Sequence, residues 1–300
     1  MNAVPGQTPG SISGTGLSLA DGGKPVVMLV HGMWSHPGIW RNFRLFLEAR
    51  GYRVVVPALR HHDVARGDPA HPALGSTSIA DYLSDLVAFA GKLDEKPLVI
   101  GHSMGGLLAQ MLAARGLARA VVGLAPAPAA GTVLLDHRPY WFFRRETLRP
   151  GFWRRPQLPS LAAMRYGVLN RVPPREQEGL YAELLPESGR AVCEIAYWYF
   201  DRRRTTWVNP ADIACPMLFL TGGDDRLTPL WVTERNAEPY DGRLKVEALK
   251  GHAHWLPAEP GWERIAERAT HFFEKEAAVM ARKLAWRQGG LPAGEFAPAG

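Results

Sequence analysis

The sequence predicts an α/β fold built on a mainly parallel, doubly wound sheet. Three observations carry this. Short apolar runs alternate with amphipathic stretches through most of the chain. The runs are apolar at every position rather than every second one, the pattern of strands covered on both faces. Three hundred residues with 46% hydrophobic content are enough to bury such a core. Alternating strands and helices then imply right-handed crossovers between parallel neighbours.

The elements follow in order. "PVVMLVHG", Pro25 to Gly32, is the first buried strand. In "HPGIWRNFRLFLEARG", residues Ile39, Trp40, Phe43, Phe46 and Leu47 recur at helical spacing, and Gly51 stops the helix. "YRVVVPAL" is the second strand. Ser78 opens "SIADYLSDLVAFAGKL", and Asp81 three residues on completes a capping box. The strand "LVIG", a helix after Ser103 and the strand "AVVGLAP" come next. The alternation breaks near Ala130 and resumes with "CPMLFLTGG", "RLKVEAL" and the helix "GWERIAERATHFFEKEAAVM". The expected organisation is therefore a disordered lead-in over residues 1–23 and a core formed by 24–135 and 207–285. A helical insertion occupies 136–206, and a loose tail 286–300.

Composition narrows the function. The formal charge of +6 is small for this length, and no run of five or six like charges occurs, so no nucleic-acid partner is expected. No stretch approaches ~18 apolar residues, so no transmembrane segment is expected. "MNAVPGQTPGSISGTG" lacks the basic start and apolar centre of a secretory signal. Cys193 and Cys215 form no metal spacing and no disulfide framework, so a reduced, cytoplasmic setting is the expectation. "RHHD", Arg60 to Asp63, invites a metal reading, but adjacent histidines do not face one centre and no third ligand is evident. No cofactor and no metal are expected.

One stretch carries chemistry. "PLVIGHSMGGLLAQMLAAR", Pro97 to Arg115, runs from an apolar strand into a helix with a small-residue face. Between them Gly101, Ser103 and Gly105 sit two apart. Glycines on either side suit a sharp turn in which backbones come too close for a Cβ. The turn holds a serine hydroxyl above the sheet, beside helix-terminal N–H groups that suit a developing oxyanion. A serine hydroxyl needs a base within reach, and the base needs an orienting acid.

Four motifs together resemble the α/β-hydrolase family: "HGMW", "GHSMGG", "GGDDRLTP" and "GHAHWLPAEPGW", in the family's chain order. The resemblance covers about Lys24 to Met280. It implies Ser103 as nucleophile. For the acid, the family spacing after a glycine and before a proline favours Asp225 over Asp224. For the base, Gly251-His252 resembles one family habit. A histidine five residues before Glu259-Pro260 resembles the other and favours His254. The oxyanion hole falls to the backbone N–H groups of Met33 and Met104. "HGMW" departs from the H-G-G-G form.

The insertion corresponds to the family's lid. Its Trp141, Phe142, Phe143 and Trp153, with Trp34 and Trp255 beside the triad motifs, are candidate substrate contacts for an apolar acyl or aromatic group. Arg144, Arg145, Arg154 and Arg155 form either a solvated face or an attractor for anionic substrates. The implied reaction is hydrolysis of a carboxylic ester through an acyl-enzyme. Serine at the elbow argues against epoxide hydrolases and haloalkane dehalogenases, which use an aspartate. The same triad also serves lipase-like, thioester, amide and carbon–carbon hydrolases, perhydrolases and hydroxynitrile lyases, and the same fold serves as a ligand-binding receptor. The partner expected is a small molecule. Nothing in the sequence signals an oligomeric state.

Overall fold

Six apolar runs form one sheet in the computed structural model, which describes residues 24–64, 67–132, 136–240 and 242–287. The strands are β1 (Lys24–Val30), β2 (Tyr52–Val55), β3 (Leu98–His102), β4 (Ala120–Leu124), β7 (Met217–Gly222) and β8 (Leu244–Leu249). Their order is β2-β1-β3-β4-β7-β8, and every pairing is parallel. β2 stops before Pro57, which has no N–H to give a ladder.

Side chains alternate between two apolar layers, as strand geometry requires. Met28, Val30, Val99 and Val121 face α2 (Ile79–Ala90) and α3 (Met104–Ala113). Val27, Leu29, Ile100 and Val122 face α1 (Arg41–Glu48) and α9 (Trp262–Arg287), where Trp40, Phe43 and Phe273 are fully buried. The capping box forms: Ser78 accepts from Ala80 N, and Asp81 accepts from Ser78 N at 2.8 Å. α9 runs on to Arg287, past the expected boundary at position 286. The lead-in and residues 288–300 lie outside the described residues. No helix among the described residues is long and apolar enough to cross a membrane.

The chain reverses its direction of progress across the sheet between β1 and β3. Such a switch point opens a crevice at the carboxyl ends of the strands. Ser103 directly follows β3, and Met33 lies just beyond β1. Between β4 and β7 the inserted segment contributes α4 (His137–Thr147), β5 (Pro156–Gln157), α5 (Leu161–Gly167), α6 (Pro174–Glu183), β6 (Glu187–Ser188) and α7 (Gly189–Ala196). Its apolar interior, including Phe142, Phe152, Met164 and Val192, is continuous with the α2–α3 layer.

The insertion is seated by buried polar groups. Glu187 accepts from Tyr82 Oη at 2.6 Å and from Ser188 N, and faces His62 Nε2 at 3.4 Å. Burial would lower the His62 pKa, but the Glu187 carboxylate outweighs that and raises it. Glu194 accepts from Ser78 Oγ and from Ile79 N at the N-terminus of α2, where the helix dipole favours an anion.

Candidate active site

The turn between β3 and α3 is built around Ser103, whose backbone adopts φ 53° and ψ −119°. A residue other than glycine held there stores strain of order 1–3 kcal/mol. The ladder and the following helix hold it: Ser103 N donates to Leu124 O, and Ser103 O accepts from Gly106 N, Leu107 N and Ala127 N. The flanking glycines are required sterically. A Cβ on Gly101 would lie 2.2 Å from Gly105 O, and one on Gly105 would lie 2.2 Å from Val30 O. Two further residues at positive φ, Trp34 and Ala125, adjoin the same crevice.

His254 meets the serine. Its Nε2 is 3.1 Å from Ser103 Oγ, and its Nδ1 is 2.8 Å from Asp225 Oδ2. Asp225 and His254 are both buried. Burial alone would raise the Asp225 pKa. The His254 imidazole and the Leu227 and Thr228 amides outweigh burial and hold it below the usual carboxylate range. Those amides donate to Oδ1 at 2.8 and 2.9 Å, and Thr228 Oγ1 lies 2.9 Å from Oδ2. Three donors and the imidazole thus saturate this carboxylate.

The other two candidates are placed elsewhere. Asp224 is a surface carboxylate paired with Arg171 of the insertion at 2.5 Å. His252 Nδ1 stands 3.3 Å from Glu259 Oε2, on the far side of the loop. Glu259 clamps the backbone around His254, accepting from Ala253 N at 2.8 Å and Trp255 N at 2.9 Å.

Two contributors were not singled out by the sequence reading. Thr228, three residues after Asp225, was detectable as a side-chain cap of that turn. His102 sits inside the elbow, and its Nε2 is 2.8 Å from His254 O. Since a carbonyl only accepts, Nε2 carries the proton. Burial pushes the His102 pKa down to about 3, and Nδ1 has no partner among the described residues. His102 is a neutral donor that fixes the main chain of His254.

Ser103 faces a cavity of about 40 Å³ whose walls include Met33, Trp34, Pro139, Phe143, Ile195 and Leu227. Met104 also lines it, and neither Met33 N nor Met104 N donates a hydrogen bond among the described residues. Trp34 and Phe143 therefore stand beside the serine, but four other expected contacts do not. Trp141 points outward at 48% exposure, and Trp153 lines a separate outer groove. Phe142 is buried against Trp34 and Gly167. Trp255 is buried edge-on against His102. The reason in α4 is geometric: successive helical residues point about 100° apart, so a run of three aromatics cannot share one face. In "RHHD", His61 stacks on His71 while His62 turns inward to Glu187.

Comparison with known proteins gives the same frame. Residues 27–288 match the alpha/beta hydrolase family. Epoxide hydrolase A of Mycobacterium tuberculosis is 26% identical over 290 residues, covering 80% of this chain and 88% of its own length. Epoxide hydrolase 3 of Siraitia grosvenorii is 36% identical over 87 residues, which are 28% of this chain and 26% of that protein. Among solved structures, a methylesterase from Arabidopsis superposes with a TM-score of 0.61 at 16% identity, over 83% of this chain and 100% of its own. A pyrethroid hydrolase from Sphingobium faniae JZ-2 gives 0.61 at 20% identity, over 85% and 99%. At these identities the structural likeness is one of fold. With the family match spanning nearly all the described residues, the chain belongs to the alpha/beta hydrolase family.

Proposed function

We propose that this protein hydrolyses carboxylic esters of small molecules through an acyl-enzyme. The observation that carries the reading is the relay from Ser103 Oγ through His254 to Asp225, at 3.1 and 2.8 Å, on a strained turn. His254 Nε2 takes the hydroxyl proton as Oγ bonds to the ester carbonyl carbon. The carbonyl electron pair moves onto oxygen, where the Met33 and Met104 amides receive the charge. The ionised Asp225 carboxylate stabilises the imidazolium. Collapse expels the alkoxide, which takes the proton from Nε2. Water then repeats the sequence on the acyl-enzyme and releases the acid and free Ser103.

The nucleophile decides between the chemistries of the relatives. Two of them are named epoxide hydrolases. Attack of a serine oxygen on an epoxide carbon would form an ether, which has no carbonyl for water to attack. Attack on an ester forms a second ester, which His254 and water can cleave. An apolar cavity of about 40 Å³ suits a short acyl group beside the serine, with the insertion acting as a lid over it.

The test uses p-nitrophenyl esters of increasing acyl length and styrene oxide, on wild type and Ser103→Ala, with fluorophosphonate labelling. Ester turnover and labelling are expected in wild type. Ser103→Ala should abolish labelling and lower kcat by about 10⁴-fold or more. Epoxide turnover that survives Ser103→Ala would overturn the proposal. Wild type that neither turns over nor labels would point instead to a receptor on this fold.

A further inference from the structure

The outer face of the insertion carries an unusual apolar surface. Leu148 is 81% exposed, Phe200 74%, Tyr199 54%, Trp141 48% and Trp153 45%. Single exposed apolar residues are ordinary, whereas a contiguous patch marks an interaction site. This one is contiguous. Leu148, Trp153 and Phe200 line one groove of about 610 Å³ with Arg144 at its edge. Tyr199 packs on Phe200 with ring centroids 4.6 Å apart, and the Arg144 guanidinium lies 3.5 Å over the Trp141 ring.

The charge around the patch is predominantly positive. Residues 136–206 hold thirteen arginines, no lysine and eight carboxylates. Arg144, Arg145, Arg149, Arg154 and Arg155 interleave with the patch residues along the chain and are all exposed. Among the described residues none of these five has an ion-pair partner, while Arg165, Arg171 and Arg190 elsewhere in the insertion are paired. Tryptophan, tyrosine, phenylalanine and leucine ringed by guanidinium groups that have no ion-pair partner among the described residues match a lipid–water interface. There the rings sit at headgroup level, and the cations meet phosphate while their stems cover apolar surface.

We propose that the outer face of the insertion, from α4 to Phe200, docks on the surface of an anionic lipid bilayer. The site lies on the two helices that also wall the serine cavity. α4 turns Phe143 inward and Arg144 and Thr147 outward, and α7 turns Ile195 inward and Cys193 outward. Docking there would present the cavity wall to an ester partitioned in the bilayer. The binding itself does not depend on the ester-hydrolase reading.

The experiment is co-sedimentation of the full chain with vesicles of phosphatidylcholine, alone or mixed with phosphatidylglycerol. Binding to the anionic vesicles is expected, weakening as salt is added. Arg144→Gln/Arg149→Gln/Arg154→Gln should lower the partition coefficient about a hundredfold. Leu148→Ser/Phe200→Ser should lower it about tenfold or more, with unchanged thermal midpoints as the control for folding. No vesicle binding, or equal binding to neutral vesicles that ignores the arginine changes, overturns the proposal. So does a dimer in sedimentation velocity that Leu148→Ser/Phe200→Ser dissolves, because a second copy would then cover the face.

Discussion

Glu259 is the residue on which the presentation of His254 depends, and Glu259→Ala tests that dependence. The side chain is 1% exposed, and its two oxygens accept the amides of Ala253 and Trp255 on either side of the histidine. Truncation removes both acceptors and admits no obvious replacement. A buried amide left unpaired costs ~1–3 kcal/mol, so two cost ~2–6 kcal/mol. That is a large share of the ~5–15 kcal/mol that holds a typical domain together. Activity should fall as well. His254 must keep 2.8 Å to Asp225 and 3.1 Å to Ser103 at once, and a misplacement of ~1 Å costs about a hundredfold in rate. Urea unfolding and ester kcat would be measured for wild type, Glu259→Ala and Glu259→Gln. Glutamine keeps the shape but offers an oxygen to only one amide and an NH₂ to the other, so its losses should be intermediate. A Glu259→Ala protein less than ~1 kcal/mol destabilised, with kcat within about threefold of wild type, would refute the clamp.

Two other outcomes follow from the site. His254→Ala should lower ester kcat by ~10⁴-fold or more, while His252→Ala, which removes a group facing Glu259 rather than Ser103, should cost about tenfold or less; the reverse ranking would make His252 the base. Stability should also fall with acid through His102. Its pKa is about 3 in the folded chain against an ordinary 6.5, so between those values the unfolded chain binds the extra proton. Stability from this group is complete above pH 6.5 and is lost as pH falls towards 3, at up to ~1.4 kcal/mol per pH unit. His102→Gln keeps a donor for His254 O but cannot titrate, so urea midpoints from pH 7 to 4 should fall less steeply than in wild type; an unchanged slope would exclude His102 as the source.

The parts of this molecule that a sequence displays are those whose cause is local. An all-apolar run is a strand covered on both faces, and β1, β3, β4 and β7 lie where such runs occur. Gly101 records the close approach of the Gly105 carbonyl four residues on, and Gly105 that of Val30 on the neighbouring strand, and the spacing of the two around Ser103 made the turn legible. The choice between His252 and His254 hung on register to Glu259-Pro260. The structure gives that register a cause, since Glu259 bonds the amides before and after His254. The insertion was legible as a break in the alternation and in its helix after Ser188, but not in its facing. Trp141, Phe142 and Phe143 are equally aromatic, and only the packing of α4 on Trp34 and Gly167 sends one outward, one into the core and one to the cavity.

Least legible were the carboxylates that seat the insertion. Nothing local in the sequence marks Glu187 and Glu194 as buried, and an acid is rarely buried unless it is paired. Their partners outside the insertion, Tyr82, His62, Ser78 and Ile79, lie more than a hundred residues away in sequence. Removing one member of a buried charged set costs several kcal/mol, because the remaining charge or donor is left without water. The seat of the insertion on α2 is therefore specified by long-range polar pairing. The cavity wall it carries, Phe143 and Ile195 over Ser103, inherits its position from those pairs rather than from any local pattern.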